Sequence, residues 1–137
     1  MQFFTKNFKL IAIVLLVGYI YLSNVLFGRD NNLSLPSAGS YLTDAQAHLI
    51  AENLYNAMAS VGTDEKAIFS EFSKIKTTAD FGKVSNAFGT RQYSTFWGNV
   101  GDPVTSDRLN LVQWLSHELT ASEQAALSAK FPHLTIF

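Results

Sequence analysis

Hydrophobic and polar residues are distributed unevenly along the chain. From Phe8 to Phe27 the sequence reads FKLIAIVLLVGYIYLSNVLF, and Lys9, at the edge of this run, is its only charged residue. A helix of about 20 apolar residues is long enough to cross about 30 Å of hydrocarbon. The pattern therefore predicts a transmembrane helix at residues 8–27, within an N-terminal anchor of residues 1–28.

A cleavable signal peptide is the alternative for this segment, because Lys6 and Lys9 precede the apolar run. The run is long for a signal peptide, and YLSNVLFG places bulky side chains where a cleavage site requires small ones. We therefore expect an uncleaved anchor. With both lysines on the short N-terminal side, the positive-inside rule predicts a cytoplasmic or interior N-terminus and a C-terminal domain on the opposite side.

The anchor is followed by a stretch of different composition. Residues 29–42 are rich in Asn, Ser, Pro and Gly and have no apolar period, which predicts a linker. A linker of this length would keep the following domain close to the bilayer. Residues 43–137 are expected to form that domain.

Residues 43–137 combine helix-capping residues with apolar residues spaced three and four positions apart. This pattern, with no alternating strand pattern beside it, predicts an all-α domain of five helices. The expected N-terminal signals are Thr43 with Gln46, Thr63, Thr77 or Thr78, Asp107, and Thr120 with Glu123. The expected inward-facing residues, helix by helix, are Ile50, Leu54, Tyr55 and Met58; Ile68, Phe69, Phe72 and Ile75; Phe81, Val84, Ala87 and Phe88; Leu109, Leu111, Val112, Trp114, Leu115 and Leu119; and Ala125, Ala126, Leu127, Ala129 and Phe131.

The third of these helices should end at Gly89, and an irregular loop is expected from Tyr93 to Ser106 because two glycines and a proline interrupt any period. Phe96, Trp97 and Val100 in this loop are either a contact surface or residues that pack over the fourth helix.

Composition narrows the classes of function. The chain has no cysteine, which excludes disulfides, thiolate zinc sites and a cysteine nucleophile. All eleven acidic residues lie beyond Arg29, together with only seven of the ten basic residues, so the domain is mildly acidic. Such a domain lacks the clustered Lys and Arg that neutralise phosphates, and we expect no nucleic-acid binding. His48, His117 and His133 show no spacing typical of a metal site.

Several ordered stretches resemble a known family. The residues AMASVGTDE, from Ala57 to Glu65, are similar to the first inter-helix loop of an annexin repeat, which reads close to M-K-G-x-G-T-D-E. The likeness continues through AIFSEF, NAFGTR and LVQWLSHELTASE, and it covers about Thr43 to Phe131. The resemblance implies a single five-helix annexin-like repeat attached to the transmembrane helix.

In annexins, carbonyl oxygens of this loop and a carboxylate near the end of the fourth helix bind calcium, which bridges to phospholipid. The resemblance implies that the carbonyls of Met58, Ser60 and Gly62 and the carboxylate of Glu118 would form this site here. The chain departs from the family pattern at Ser60, where annexins have glycine, and in its longer loop before the fourth helix. The simpler interpretation of GTDE is a helix N-cap followed by acidic residues in the first turn.

Two functions of different classes follow from these observations. The first is a non-catalytic, membrane-anchored structural or interaction module of a bacterial envelope or virion membrane. It would contact a protein layer or a phospholipid surface, with calcium as an optional aid and no other cofactor implied. The second is a membrane-anchored, cell-wall-degrading enzyme, in which Glu71 and Asp80 would supply the two carboxyl groups that glycoside hydrolysis requires. A muramidase-like pattern would continue with threonine where the chain has Asn86. We therefore expect the protein not to be an enzyme.

Overall fold

The computed structural model describes residues 34–59, 62–94 and 107–137, and these form a mostly helical unit. The elements in chain order are α1 (Asp44–Ala59), α2 (Glu65–Phe72), α3 (Thr78–Phe88), β1 (Arg91–Tyr93), β2 (Asp107–Leu109), α4 (Leu111–Glu118) and α5 (Ala121–Lys130). The expected five helices are therefore present. Within the described part of the chain, no helix has both the length and the apolar composition to cross a membrane. The predicted span, residues 8–27, lies outside that part.

Side-chain caps define where most of the helices begin. Reciprocal hydrogen bonds join Thr43 to Gln46 and Thr120 to Glu123, as the sequence predicted. A third pair joins Thr77, one of the two expected caps of α3, to Asp80. These capping boxes satisfy backbone N–H groups that have no partner within their own helix. At α2, however, the N-cap is Asp64, whose side chain accepts a hydrogen bond from the Ala67 N–H at 2.9 Å. The prediction of Thr63 as the cap was therefore wrong by one residue.

The region before α4 also differs from the prediction. Asp107 does not begin a helix, because Asp107–Leu109 pairs with Arg91–Tyr93 as a two-stranded antiparallel sheet. The helix begins at Leu111, where Asn110 and Gln113 form a capping box. The expectation of no strand was also wrong, because a three-residue strand is too short to show the two-residue alternation by which strands are recognised. The residues between these strands, 95–106, including the predicted contact residues Phe96, Trp97 and Val100, lie outside the described residues.

The core is formed by the apolar faces that the helical spacing predicted for α1 to α4. Trp114 of α4 is fully buried at its centre, with its ring edge-on to Tyr55, Phe88 and Tyr93. Its indole N–H donates to the Arg91 carbonyl at 3.3 Å. In α5 the prediction holds only for Leu127 and the following Phe131, which are buried, whereas Ala125, Ala126 and Ala129 are exposed.

Residues 34–42, which we call the strap, lie along α3. The side-chain amide of Asn86 accepts from the Leu35 N–H and donates to the Leu35 carbonyl, both at 2.8 Å. The backbone of the strap passes close to Gly82 of α3. A Cβ atom on this residue would lie only 2.1 Å from the Pro36 carbonyl oxygen. At the end of the strap, Lys83 donates to the Leu42 carbonyl at 2.7 Å. The described part of the predicted linker is thus bonded to the helical unit.

Substitution of Gly82 by alanine tests the close approach of the strap to α3. An alanine in an unhindered helix position stabilises a protein by about 1 kcal/mol relative to glycine. Here the overlap with Pro36 must displace the strap, and we expect a net loss of about 1 to 3 kcal/mol in the free energy of unfolding. Urea denaturation measures this loss, and amide hydrogen exchange at Leu35 should become faster.

Asn86→Ala is the matched variant, because it removes both hydrogen bonds to Leu35 without introducing an overlap. It should also accelerate exchange at Leu35. A Gly82→Ala protein with unchanged or increased stability would show that the strap does not depend on this approach.

Candidate functional site

The candidate site is formed where the α1–α2 loop meets the end of α4. The two ends of the loop are joined by a hydrogen bond of 2.9 Å from the Asp64 N–H to the Ala57 carbonyl. Gly62 has a φ of +84°, a backbone conformation that favours glycine. The hydrogen bond therefore brings the two ends of the loop together, with Thr63 and Asp64 directly before the start of α2.

Glu118, the last residue of α4, reaches this loop. Its Oε2 atom accepts a hydrogen bond from the Thr63 hydroxyl at 2.6 Å, across 55 positions of sequence. One half-buried carboxylate thus connects the α1–α2 loop to the end of α4.

Tyr93 is held firmly in this arrangement. It is only 7% exposed, its ring lies edge-on to Trp114 with centroids 4.8 Å apart, and His117 stacks against it at 4.9 Å. Burial, together with the nearby negative charge of Glu118, raises the pKa of the Tyr93 hydroxyl to about 12. The hydroxyl therefore remains protonated, as a donor, throughout the physiological pH range.

The structure describes three of the four residues of the predicted calcium site. Glu118 is hydrogen-bonded to Thr63, the residue after Gly62, and Met58 is buried in the last turn of α1. Ser60 lies outside the described residues. Among the residues that the structure does describe, no three His, Asp or Glu side chains are grouped to hold a metal. A cation here would thus rely on backbone carbonyls and one carboxylate, an all-oxygen donor set of the kind that suits calcium.

Sequence reasoning missed the two hydroxyl groups of this site. Thr63 was interpreted as a cap, and Tyr93 was placed in an irregular loop. No local pattern relates either residue to Glu118, because contacts over 25 and 55 positions arise only from the tertiary fold. Of the three histidines, His117 stacks on Tyr93, while His48 and His133 are exposed on other parts of the surface.

The two carboxylates of the enzymatic alternative have structural partners. Asp80 is 1% exposed and accepts four hydrogen bonds, from the Ser40 hydroxyl and the backbone N–H groups of Tyr41, Lys76 and Thr77, at 2.7 to 3.1 Å. Each of its two carboxylate oxygens therefore accepts two hydrogen bonds, one oxygen from the strap and the other from the α2–α3 turn.

Glu71, at the end of α2, is also buried. Its Oε1 atom accepts from Lys74 at 2.6 Å and from Asn53 at 3.2 Å, whereas its buried Oε2 atom has no hydrogen-bond partner. The contacts to Lys74 and Asn53 connect the end of α2 to α1. They give Glu71 a packing role, and neither contact links it to Asp80.

Comparison with known proteins found no match to the chain among protein families, curated proteins or solved structures.

The pKa of Asp80 provides a test of the strap. Burial raises this pKa, but the four hydrogen bonds, led by that from Ser40, outweigh burial and leave the pKa below its ordinary value of 3.8. Because the pKa is lower in the folded state, the stabilisation is fully present above about pH 4 and is lost as the pH falls through the folded-state value. Asp80→Asn should remove this acid-sensitive contribution and lower the free energy of unfolding at pH 7 by about 2 to 4 kcal/mol.

Urea denaturation at pH 7 and at several lower pH values measures both effects. Asp44→Asn is the matched control, because Asp44 is exposed and solvent screens its ion pair with Lys83. Equal losses in the two variants would contradict the role assigned to Asp80.

Proposed function

We propose that this protein is a non-catalytic interaction module that an N-terminal membrane helix holds at the surface of a bacterial envelope or of a virion membrane. The helical unit contacts a phospholipid surface or a protein layer, and calcium assists this contact. The observation that carries the proposal is the 2.6 Å hydrogen bond between Thr63 and Glu118, because it joins the α1–α2 loop to the end of α4.

The order and placement of elements support an annexin-like arrangement. Five helices lie along the described part of the chain, and Gly62, Thr63 and Asp64 of the GTDE sequence lie between α1 and α2, which begins at Glu65. The resemblance requires a carboxylate from the end of the fourth helix to approach this loop, and Glu118 approaches it through its bond to Thr63. Both residues belong to stretches that carry the resemblance, but the contact between them spans 55 positions and is not encoded by either stretch alone.

Charge favours a divalent cation as the link to a membrane. Beyond Arg29 the acidic residues outnumber the basic ones, so the helical unit has no excess of positive charge with which to attract lipid phosphates. A calcium ion on Glu118 and the neighbouring carbonyls would present a local positive charge and retain open coordination positions for phosphate oxygens. The predicted span at residues 8–27 would keep the unit at the bilayer, so that a weak calcium site is sufficient.

The enzymatic alternative gains no support from the geometry. Asp80 already accepts four hydrogen bonds, which hold the strap and the start of α3. A carboxylate used in this way has no free oxygen with which to activate water or stabilise a developing sugar cation.

Calorimetric titration of the full chain in non-ionic detergent micelles with calcium chloride tests the proposal. We expect one site with a dissociation constant of about 0.1 to 1 mM, the range typical of extracellular calcium modules. Glu118→Gln should abolish this binding, because it removes the carboxylate that reaches the loop from the end of α4. Glu123→Gln is the matched control, since glutamine can also complete the capping box with Thr120.

Two results would contradict the proposal. Binding that persists in Glu118→Gln would place calcium elsewhere. Clearing of a cell-wall suspension by the wild-type protein, lost in Glu71→Gln, would replace the interaction module with the lytic enzyme.

A further inference from the structure

A cleft lies between the strap, the first half of α1 and the second half of α3. Its volume is about 300 Å³, and Ser37, Ala47, Asn86 and Ala87 are among the residues that line it. This volume is at the small end of the range for sites that bind small molecules. The cleft is near the start of α1, a helix of 16 residues and thus about 24 Å long. It is therefore separate from the candidate calcium site, which lies beyond the other end of this helix.

Contacts within the fold hold the walls of this cleft in place. The Asn86 side chain bonds both backbone groups of Leu35 at 2.8 Å. The strap then turns through a hydrogen bond of 3.2 Å from the Ser40 N–H to the Ser37 carbonyl. The alanine side chains of the helical walls contribute only methyl groups, which leave the volume open. The cleft is therefore preformed, and this lowers the entropic cost of binding a ligand.

Three ionisable side chains line the cleft: Asp44, His48 and Lys83. Lys83 donates to the Asp44 carboxylate at 2.9 Å and to the Leu42 carbonyl at 2.7 Å, so a third N–H group is available to a ligand. The hydrogen bond and charge of Lys83, followed by the charge of His48, lower the pKa of Asp44. At neutral pH the cleft therefore presents a carboxylate beside an ammonium group and an imidazole.

This pair of opposite charges favours a ligand that carries charges of both signs. Asp44 would repel a purely anionic ligand, and Lys83 would repel a purely cationic one. A zwitterion places its ammonium group against Asp44 and its anionic group against Lys83 and His48. The Asp44 side chain is 89% exposed in its ion pair with Lys83. Because such an exposed pair contributes little stability, its rearrangement around a ligand costs little.

We propose that this cleft binds the ethanolamine phosphate head group of a zwitterionic phospholipid, with the ammonium on Asp44 and the phosphate on Lys83 and His48. The inference rests on the proposed function, because it names a lipid for the surface that the helical unit contacts. Of the described residues that line the cleft, none is Phe, Tyr or Trp, whereas the quaternary ammonium of choline is recognised by aromatic cages. A primary ammonium can instead donate hydrogen bonds to a carboxylate.

The test titrates the full chain with glycerophosphoethanolamine in non-ionic detergent micelles that contain EDTA. NMR follows the backbone amide resonances of His48 and Ala87. We expect saturable shifts with a dissociation constant of about 1 mM, and binding of glycerophosphocholine and of inorganic phosphate that is about tenfold weaker. Equal affinity for the three compounds, or no saturable shift with glycerophosphoethanolamine, overturns the inference.

Ala87→Leu fills the cleft while it retains all three ionisable side chains, and it should abolish the shifts at His48. Ala125→Leu is the matched control, because Ala125 is exposed on α5 and does not line the cleft. It should bind as the wild type does. Unchanged binding by Ala87→Leu would place the ligand elsewhere and contradict the inference. The comparison of head groups uses the wild-type protein alone and does not depend on the folding of either variant.

Bilayer nanodiscs distinguish a lipid head group from a free compound of the same chemistry. In nanodiscs that contain phosphatidylethanolamine, the His48 and Ala87 resonances should lie at their ligand-bound positions without added ligand. In nanodiscs of phosphatidylcholine alone they should lie at their free positions. Free positions in both would overturn the assignment to a lipid. Because EDTA is present throughout, absence of calcium binding in the calorimetric test overturns the calcium-assisted contact and leaves this result unaffected.

Discussion

The structure of the helical unit depends on the hydrogen bonds that stabilise one buried negative charge, the carboxylate of Asp80. An isolated carboxylate would be very costly at 1% exposure, whereas one that accepts four hydrogen bonds is stabilised in its charged form. Two of its donors belong to the strap and two to the turn between α2 and α3. The same group thus caps α3, fixes the turn before it and fastens the chain that precedes α1. Each oxygen of the carboxylate accepts two of these bonds, so loss of one donor leaves that buried oxygen with a single partner and weakens the whole network.

The other side of the unit is organised around apolar contacts with polar edges. Trp114 links α4 to α1, α3 and β1 through its edge-on neighbours, and its N–H satisfies the carbonyl of Arg91. The Arg91 guanidinium lies over the rings of Tyr55 and Phe88 and pairs with Glu52. This arrangement holds β1 against the helices, and β1 in turn carries Tyr93 to Glu118. The position of the candidate site therefore follows from how the core packs around Trp114.

Sequence reasoning succeeded where the physical cause is local. Capping boxes and apolar spacing located the five helices, because both operate within one or two helical turns. Asp107 was mistaken for a helix start because an acidic residue there also suits a helix N-terminus, while Asn110 and Gln113 form the better capping box. The strap looked like a linker because its partners on α3 recognise its backbone, which leaves no apolar period in its own sequence. The Tyr93 and Thr63 contacts with Glu118 depend on tertiary structure and could not be predicted from local pattern.

The location of Glu118 explains why its bond to Thr63 matters. A negative charge at the C-terminal end of a helix is unfavourable, because the unsatisfied carbonyls there carry partial negative charge. Thr63 offsets part of this cost by donating a hydrogen bond, and it does so without adding positive charge. The carboxylate and the helix end consequently retain a net negative potential beside a tight loop. A cation bound at this point would neutralise both sources of negative charge at once, whereas it would gain less from a carboxylate at a helix N-terminus.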